Sequence, residues 1–230
     1  MMDELKRQAA IAAVETIKDG MIVGLGSGST ASLFIRELGT RVRSGLRVKG
    51  IPSSEESRRL AEEVGVPLTT FLEHSHIDVT VDGADEVSES LDLTKGLGGA
   101  LVREKIVAHA SNRVIIVVDE SKLVDKLGRK CPIPVEVIPF SAVLVQAQLQ
   151  RWGGHILQRE RHGKAFFSDN GNLILDWHYG PVDQPAVCEK QLKALTGVVD
   201  CGIFANVASL VIVATSAGIR KLERGETGAI

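Results

Sequence analysis

Three loops in this chain carry the residue types that chemistry needs. The first reads Gly24-Leu25-Gly26-Ser27-Gly28-Ser29-Thr30, between a short apolar run and a helical pattern. Glycines let a backbone approach a ligand, and the helix start that follows offers free N–H groups to an anion. Ser27, Ser29 and Thr30 add hydroxyl donors. No Lys-Ser/Thr pair follows the last glycine, so this is not a Walker A loop, and Ser29 stands where a dinucleotide fingerprint needs its third glycine. A phosphate cradle and a tight, capped turn both satisfy the loop. The second, Asp82-Gly83-Ala84-Asp85-Glu86, follows the apolar run Ile77 to Val81. Ligands of open α/β sheets bind outside the carboxyl ends of strands. Paired carboxylates there can hold sugar hydroxyls, hold a metal or move protons; an Asx turn with a helix cap is the alternative. The third runs Lys95-Gly96-Leu97-Gly98-Gly99-Ala100-Leu101-Val102-Arg103-Glu104-Lys105. It sets a cation before a glycine loop and a carboxylate in the early turns of a helix. Arg103-Glu104-Lys105 alone reads as a solvated salt-bridge face; its place just past the glycines makes Glu104 a candidate base.

The elements that must position these loops alternate. Leu5, Ala9, Ala12, Ala13 and Ile17 have helical spacing, with Gly20 as a stop. Met21 to Leu25 predicts a strand, Ala31 to Leu38 a helix and Leu46 to Ile51 a strand. Ser53 or Ser54 can cap a helix that opens with Glu55 and Glu56. Val66 to Phe71 and Ile77 to Val81 read as strands. Gly98 to Ser111 contains a helix with Leu101, Ile106 and Val107 on its apolar side. Val114 to Val118 has no polar alternation, as in parallel strands buried on both faces. This predicts a doubly wound, Rossmann-like α/β domain. Near residue 128 the pattern changes. Val135 to Ile138, His155 to Arg159, Ala165 to Ser168, Leu173 to Trp177 and Val198 to Phe204 read as strands, with helices over Ser141 to Trp152 and Gln184 to Leu195. Asp169-Asn170-Gly171-Asn172 predicts a hairpin turn. The order β-α-β-β-α-β predicts a small inserted α+β layer of the ferredoxin type. The expected division is 1–129 plus 206–230 for the larger domain and 130–205 for the smaller, with Leu210 to Ala214 and a short helix rejoining the first.

Composition narrows the classes. At 230 residues, 44% hydrophobic and 24% charged, the chain can bury a core without a disulfide or metal staple. A net charge of −2 and 4% aromatic residues argue against a nucleic-acid partner. Basic residues between Arg151 and Lys164 read as a solvated face. Cys131, Cys188 and Cys201 are far apart and odd in number, which predicts structural thiols in a reducing compartment. The N-terminus lacks a signal-peptide pattern and no apolar run reaches membrane-spanning length, so the expectation is a cytoplasmic protein with no membrane partner. His74, His76, His109, His155, His162 and His178 form no metal-binding spacing; His74-x-His76 beside Asp78 is the closest. Trp152 and Trp177 fit core or interface positions in the small domain.

GLGSGSTA, VDGADEV, KGLGGALVREKIVA, DESKLVDKLG and PVEVIPF, in that order, resemble the motif series of the ribose-5-phosphate isomerase A family; DNGNLILD and GIFAN resemble its later segments. The likeness runs from DELK at residues 3–6 to about residue 220. It implies an aldose–ketose isomerase of the non-oxidative pentose phosphate pathway, interconverting D-ribose 5-phosphate and D-ribulose 5-phosphate through an enediolate, with no metal and no redox cofactor. It implies Glu104 as the base, Asp82 and Asp85 as substrate carboxylates and Lys95 as the oxyanion partner. Ser27, Gly28, Ser29 and Thr30 match the phosphate loop, Lys122 matches a substrate-binding lysine, and Lys6 approaches the phosphate. Gly83, Ala84, Gly96, Leu97 and Gly98 complete the expected substrate contacts. Leu97 stands where the family usually has glycine or arginine, so its bulk is expected to bear on the sugar pocket. Val207-Ala208-Ser209-Leu210 replaces a segment that often carries Arg and Asp, and reads as packing variation. The resemblance also implies a homodimer or homotetramer whose interface involves the small domain. The alternatives are a non-turnover sugar-phosphate sensor and another sugar-phosphate enzyme of the same superfamily. A sensor would normally carry an N-terminal helix-turn-helix, and here the first helix runs straight into the sheet.

Overall fold

Continuous β-branched runs demand burial on both faces, and a central sheet supplies it. The protein is described by a computed structural model over residues 2–224. Along the chain, α1 (Met2–Val14) leads to β1 (Ile22–Leu25), α2 (Ser29–Arg43), β2 (Lys49–Pro52), α3 (Glu55–Val64) and β3 (Val79–Asp82). Two short strands, β4 (Glu86–Val87) and β5 (Leu93–Thr94), precede α4 (Leu101–His109) and β6 (Val114–Asp119). Next come β7 (Ile133–Val137), α5 (Ala142–Trp152), β8 (His155–Gln158), β9 (Glu160–Arg161), β10 (Lys164–Ala165) and β11 (Leu173–His178). The chain continues through α6 (Pro185–Lys193), β12 (Val198–Cys201), β13 (Ile203–Phe204), β14 (Leu210–Thr215) and β15 (Gly218–Glu223).

The main sheet has the order β15-β14-β6-β3-β1-β2, parallel except at β15. Ile115 and Val117 of β6 face a core built with α1 and α2. Val114, Ile116 and Val118 face the opposite core, which contains Leu101, Ala108 and Phe204. The strand order reverses between β1 and β3, where an α/β sheet leaves a crevice at its carboxyl edge. A second, antiparallel sheet has the order β12-β7-β11-β8 and its own core around Val135, Leu149, Leu175 and Trp177. No described helix is long and apolar enough to cross a membrane.

Five local expectations need correction. Val66 to Phe71 does not form a strand: Leu68 makes one bridge to Gly50, and the chain turns at residues 71–73. Pro67 lacks the N–H that a longer ladder would use. In the segment 165–168, Ala165 pairs with Glu160, and beyond it only Phe167 bridges Leu173. Ile106 is exposed, because Leu101, Glu104, Lys105 and Ala108 fall at i, i+3, i+4 and i+7 and take the buried side of α4. The expected short helix after β14 is instead strand β15, whose Arg220, Lys221 and Glu223 suit an exposed sheet edge. The expected strand Val198 to Phe204 breaks at Gly202, so that β12 joins the second sheet and β13 pairs with β5. Gly202 accepts the Lys95 N–H at 2.8 Å and donates to Pro134 O at 2.7 Å. A Cβ there would stand 2.2 Å from Lys95 O, so only glycine lets these backbones meet.

Candidate active site at the carboxyl edge of the parallel sheet

The loop after β1 turns on two glycines. Gly26 lies against the side chain of Asp82, where a Cβ would come within 2.2 Å of Oδ1. Gly28 precedes α2 with φ 92°, a left-handed conformation that glycine adopts freely. The N–H groups of Ser29, Thr30 and Ala31 begin α2 with no carbonyl one turn back, and no acidic side chain occupies that first turn. Together with the helix dipole, this is a seat for an anion. Lys6, from α1, donates to Ser29 Oγ at 3.4 Å. Ser27 Oγ lies 2.9 Å from Ser53 Oγ and 2.8 Å from Ser54 Oγ, so the loop is tied to the start of α3. Ser54 caps that helix by a reciprocal bond with Ser57.

Asp82 closes β3 and is buried. Its Oδ1 accepts the N–H groups of Ser27 at 3.0 Å and Gly83 at 2.7 Å, and Oδ2 lies 2.9 Å from Lys95 Nζ. Lys95 also donates to Gly83 O at 2.7 Å and to Glu104 Oε1 at 3.3 Å. Glu104 sits in the first turn of α4 and is only 5% exposed. Its second oxygen, Oε2, is buried with no hydrogen-bond partner. Burial raises the Glu104 pKa to about 8; Lys95 opposes the rise, while Asp82 and Asp85 add to it. On Lys95 the neighbouring carboxylates outweigh burial and hold the ammonium charged. Burial also lifts the Asp85 pKa, against the Leu97 N–H, Lys95, Lys122 and Arg159.

These groups surround one pocket of about 110 Å³. Its lining comprises Lys6, Ser27, Gly28, Ser29, Thr30, Gly83, Ala84, Asp85, Lys95, Gly96, Gly98, Glu104 and Lys122. Asp82 and Leu97 do not line it. Asp82 stands behind Lys95 and the first loop. The Leu97 side chain is 41% exposed, so its bulk does not fill the sugar space, and its contribution is the N–H given to Asp85 Oδ2 at 3.0 Å.

Several residues around the site were not anticipated. Lys105, read with its neighbours as a solvated charge, is 2% exposed and fully engaged in the interior. Arg103 donates to Asp169 O at 2.9 Å and Asn170 Oδ1 at 2.9 Å, which ties the 169–172 turn to α4. Arg159 reaches the carbonyls of the third loop from the second sheet. Glu86 accepts the N–H groups of Gly128 at 2.6 Å and Lys130 at 2.5 Å, and fixes the crossing into that sheet. No short spacing links these partners, so only a tertiary signal finds them.

The remaining candidates have other tasks. His76 Nε2 bonds Asn112 Oδ1 at 2.8 Å, and Asp78 accepts the Ile22 N–H at 2.7 Å, so this group is occupied with fixing loops. Trp177 is core, donating to Gly153 O at 2.9 Å, with Trp152 edge-on at 6.1 Å. The three cysteines are unpaired; burial pushes the Cys188 thiol up to about 11 and Cys201 up to about 12. Such thiols are poor nucleophiles at neutral pH.

The fold and pocket define an α/β protein whose pocket joins a helix N-terminus to a buried carboxylate–lysine pair. The family model described as ribose 5-phosphate isomerase A (phosphoriboisomerase A) matches residues 49–218. The chain belongs to that family. It is 51% identical to ribose-5-phosphate isomerase A of Gloeobacter violaceus over 222 residues, covering 96% of each chain. It is 48% identical to the protein of that name from Thermomicrobium roseum, covering 98% of this chain and 96% of the relative. Ribose 5-phosphate isomerase A from Methanocaldococcus jannaschii superposes with a TM-score of 0.92 at 45% identity, covering 96% of this chain and 98% of that one. A D-ribose-5-phosphate isomerase solved in complex with phospho-erythronic acid superposes with a TM-score of 0.95 at 39% identity, covering 97% and 100%.

Proposed function

We propose that this chain interconverts D-ribose 5-phosphate and D-ribulose 5-phosphate by proton transfer between C1 and C2. One observation carries the assignment of the base. Glu104 presents an unpartnered buried oxygen within a pocket it shares with the Lys95 ammonium and the α2 N-terminus. A carboxylate whose pKa burial lifts toward neutrality is a far stronger base than one in water. Glu104 takes the proton from the carbon next to the carbonyl and returns it to the neighbouring carbon, while the hydroxyl proton passes between O2 and O1 of the enediolate. The enediolate oxygen draws on Lys95, whose contact with Glu104 at 3.3 Å is its longest and the one a substrate oxygen replaces. Electrostatic stabilisation of this kind contributes roughly 10²–10³-fold. The phosphate takes the α2 N–H groups, Ser29, Thr30, Lys6 and Lys122. It does not react, so its binding energy holds C1 and C2 against the base. Asp85 takes a sugar hydroxyl and assists ring opening. Asp82 acts behind them by holding Lys95 and the Ser27 amide.

The reaction uses no metal and no redox cofactor, and runs in the cytoplasm. The larger unit is a doubly wound sheet over 1–129 and 206–230, with a ferredoxin-type layer inserted over 130–205; residues 1 and 225–230 of that division lie outside the described residues. The enzyme works as a homodimer or homotetramer. The exposed Phe140, just before α5, and Val143 and Leu144 in its first turn support an interface on the small layer.

The test is ribulose 5-phosphate formation from ribose 5-phosphate in EDTA. Wild type is expected to turn over, and Glu104→Gln to lose about 10²–10⁴-fold in kcat. Full activity in Glu104→Gln moves the base elsewhere, and an inactive wild type that still binds the sugar phosphate makes the protein a sensor.

A further inference from the structure

The third loop contains glycine at 96, 98 and 99, so its backbone gains little rigidity from its own side chains. Yet it carries Lys95, which lines the pocket, and the Leu97 N–H, which holds the pocket residue Asp85. Besides backbone bonds at Lys95 and Gly99, a side-chain restraint comes from Arg159, just beyond the end of β8. One guanidinium nitrogen, Nη1, donates to Gly96 O at 2.6 Å and to Leu97 O at 3.0 Å. The rest of the fork is taken by Asp176 of β11, through Nε at 2.9 Å and through Nη2. Both side chains are nearly buried. Arg159 is itself anchored: its N–H donates to Ile174 O at 2.8 Å, and its carbonyl accepts from Phe166 N at 2.9 Å. A rigid chain of contacts therefore runs from Asp176 through Arg159 to the Gly96–Leu97 backbone, and on through the Leu97 N–H to Asp85.

We infer that Arg159 is a positioning residue for proton transfer. It holds the peptide units between Lys95 and Gly98 so that the Lys95 ammonium and the Asp85 carboxylate meet the substrate in register. It lies outside the pocket lining and touches none of the phosphate groups. The planar fork serves both ends at once, whereas a lysine cannot chelate Asp176 and reach the loop carbonyls together. The inference rests on the isomerase reading, and displacement of a reacting group by about 1 Å costs on the order of 10²-fold.

The experiment compares wild type, Arg159→Met and Arg159→Lys as intact protein. Turnover of ribose 5-phosphate, inhibition by inorganic phosphate and hydrogen exchange at the Leu97 amide are read for each. Arg159→Met is expected to lose about 10²-fold in kcat, with KM and phosphate inhibition within about twofold. Arg159→Lys should recover part of that loss, since it restores one donor. The Leu97 amide should exchange at least about tenfold faster in Arg159→Met. Unchanged kcat in a folded Arg159→Met overturns the inference, as does unchanged Leu97 exchange. So does a loss shared equally by kcat, KM and phosphate inhibition, which marks general loosening. If Arg159→Met does not fold, Arg159→Lys carries the same readouts, with a kcat loss of about tenfold expected. An inactive wild type sinks the isomerase reading alone, because Leu97 exchange still tests the restraint.

Discussion

Lys95 and Lys105 are both buried ammonium groups, and both lie over the ring of Phe204, at 5.6 and 4.7 Å. Their surroundings differ. Lys105 contacts four oxygens: Glu189 at 2.6 Å, Asp200 at 2.6 Å, Cys201 O at 2.8 Å and Ile203 O at 2.8 Å. An ammonium has three N–H groups, so none is left for a ligand. Lys95 has two close partners, Gly83 O and Asp82, and one long contact to Glu104 on the pocket side. Burial alone therefore does not mark a functional lysine. The saturated ammonium fastens α4 to α6 and β12, while the other holds only one long contact, to Glu104, and that is the contact the proposed reaction exchanges for a substrate oxygen. Glu104 and Lys105 are consecutive, yet the helix turns one toward the pocket and the other into the interior.

Exchanging the charges one at a time tests this contrast. Lys105→Met removes the only cation paired with the partly buried Glu189 among the described residues and leaves Asp200 with Lys193 alone, at 3.4 Å, and should cost about 3–5 kcal/mol of stability. Urea or thermal unfolding measures it, and a loss below about 1 kcal/mol would break the comparison. Lys95→Met should instead lower kcat by about 10²–10³-fold, since it removes the proposed oxyanion partner. Equal stability losses in the two variants, with equal activity, would erase the distinction.

A smaller effect follows from pH. Glu104 must be deprotonated to act as base, and its pKa stands near 8 instead of 4.5. The kcat/KM should therefore fall about tenfold per pH unit below that value, whereas an ordinary carboxylate would leave it flat down to about pH 5. Stability has the opposite sense. The folded state binds this proton more tightly than the unfolded chain, so the Glu104 contribution is full below pH 4.5 and is lost as pH rises toward 8. Glu104→Gln should flatten that slope. The smallest effect belongs to the surface: Arg36 and Glu63 pair at 3.2 Å, both more than half exposed. Arg36→Ala should change stability by less than about 1 kcal/mol, and a larger shift would mean that a solvated pair matters as the buried ones do.

The order of strands and helices around the first sheet was readable because apolar runs, helical spacing and glycine loops are local signals. So were the three loops and the candidate groups Lys95, Asp85 and Glu104, which turned out to share one pocket. The errors fall where a local pattern permits two outcomes. Val198 to Phe204 has the composition of one strand, and the close backbones of Lys95 and Pro134 at Gly202 divide it between two sheets. Residues 216–223 carry charge and turn formers that suit an amphipathic helix or an edge strand; the open edge of β14 decides for the strand.

What the sequence alone determined is the set of local units and the donors and acceptors each loop carries. Those depend on contacts within a few residues, which composition and spacing express. The tertiary structure decided which charges are dry and which are shared. Lys105 meets Asp200 across 95 residues, Arg159 meets the Gly96 carbonyl across 63, and Asp82 meets the Ser27 amide across 55. A charged side chain reads the same in sequence whether water or four oxygens surround it. Only packing sets the local dielectric and the partners, and these set the pKa of Glu104, the reach of Lys95 and the stiffness of the loop between them.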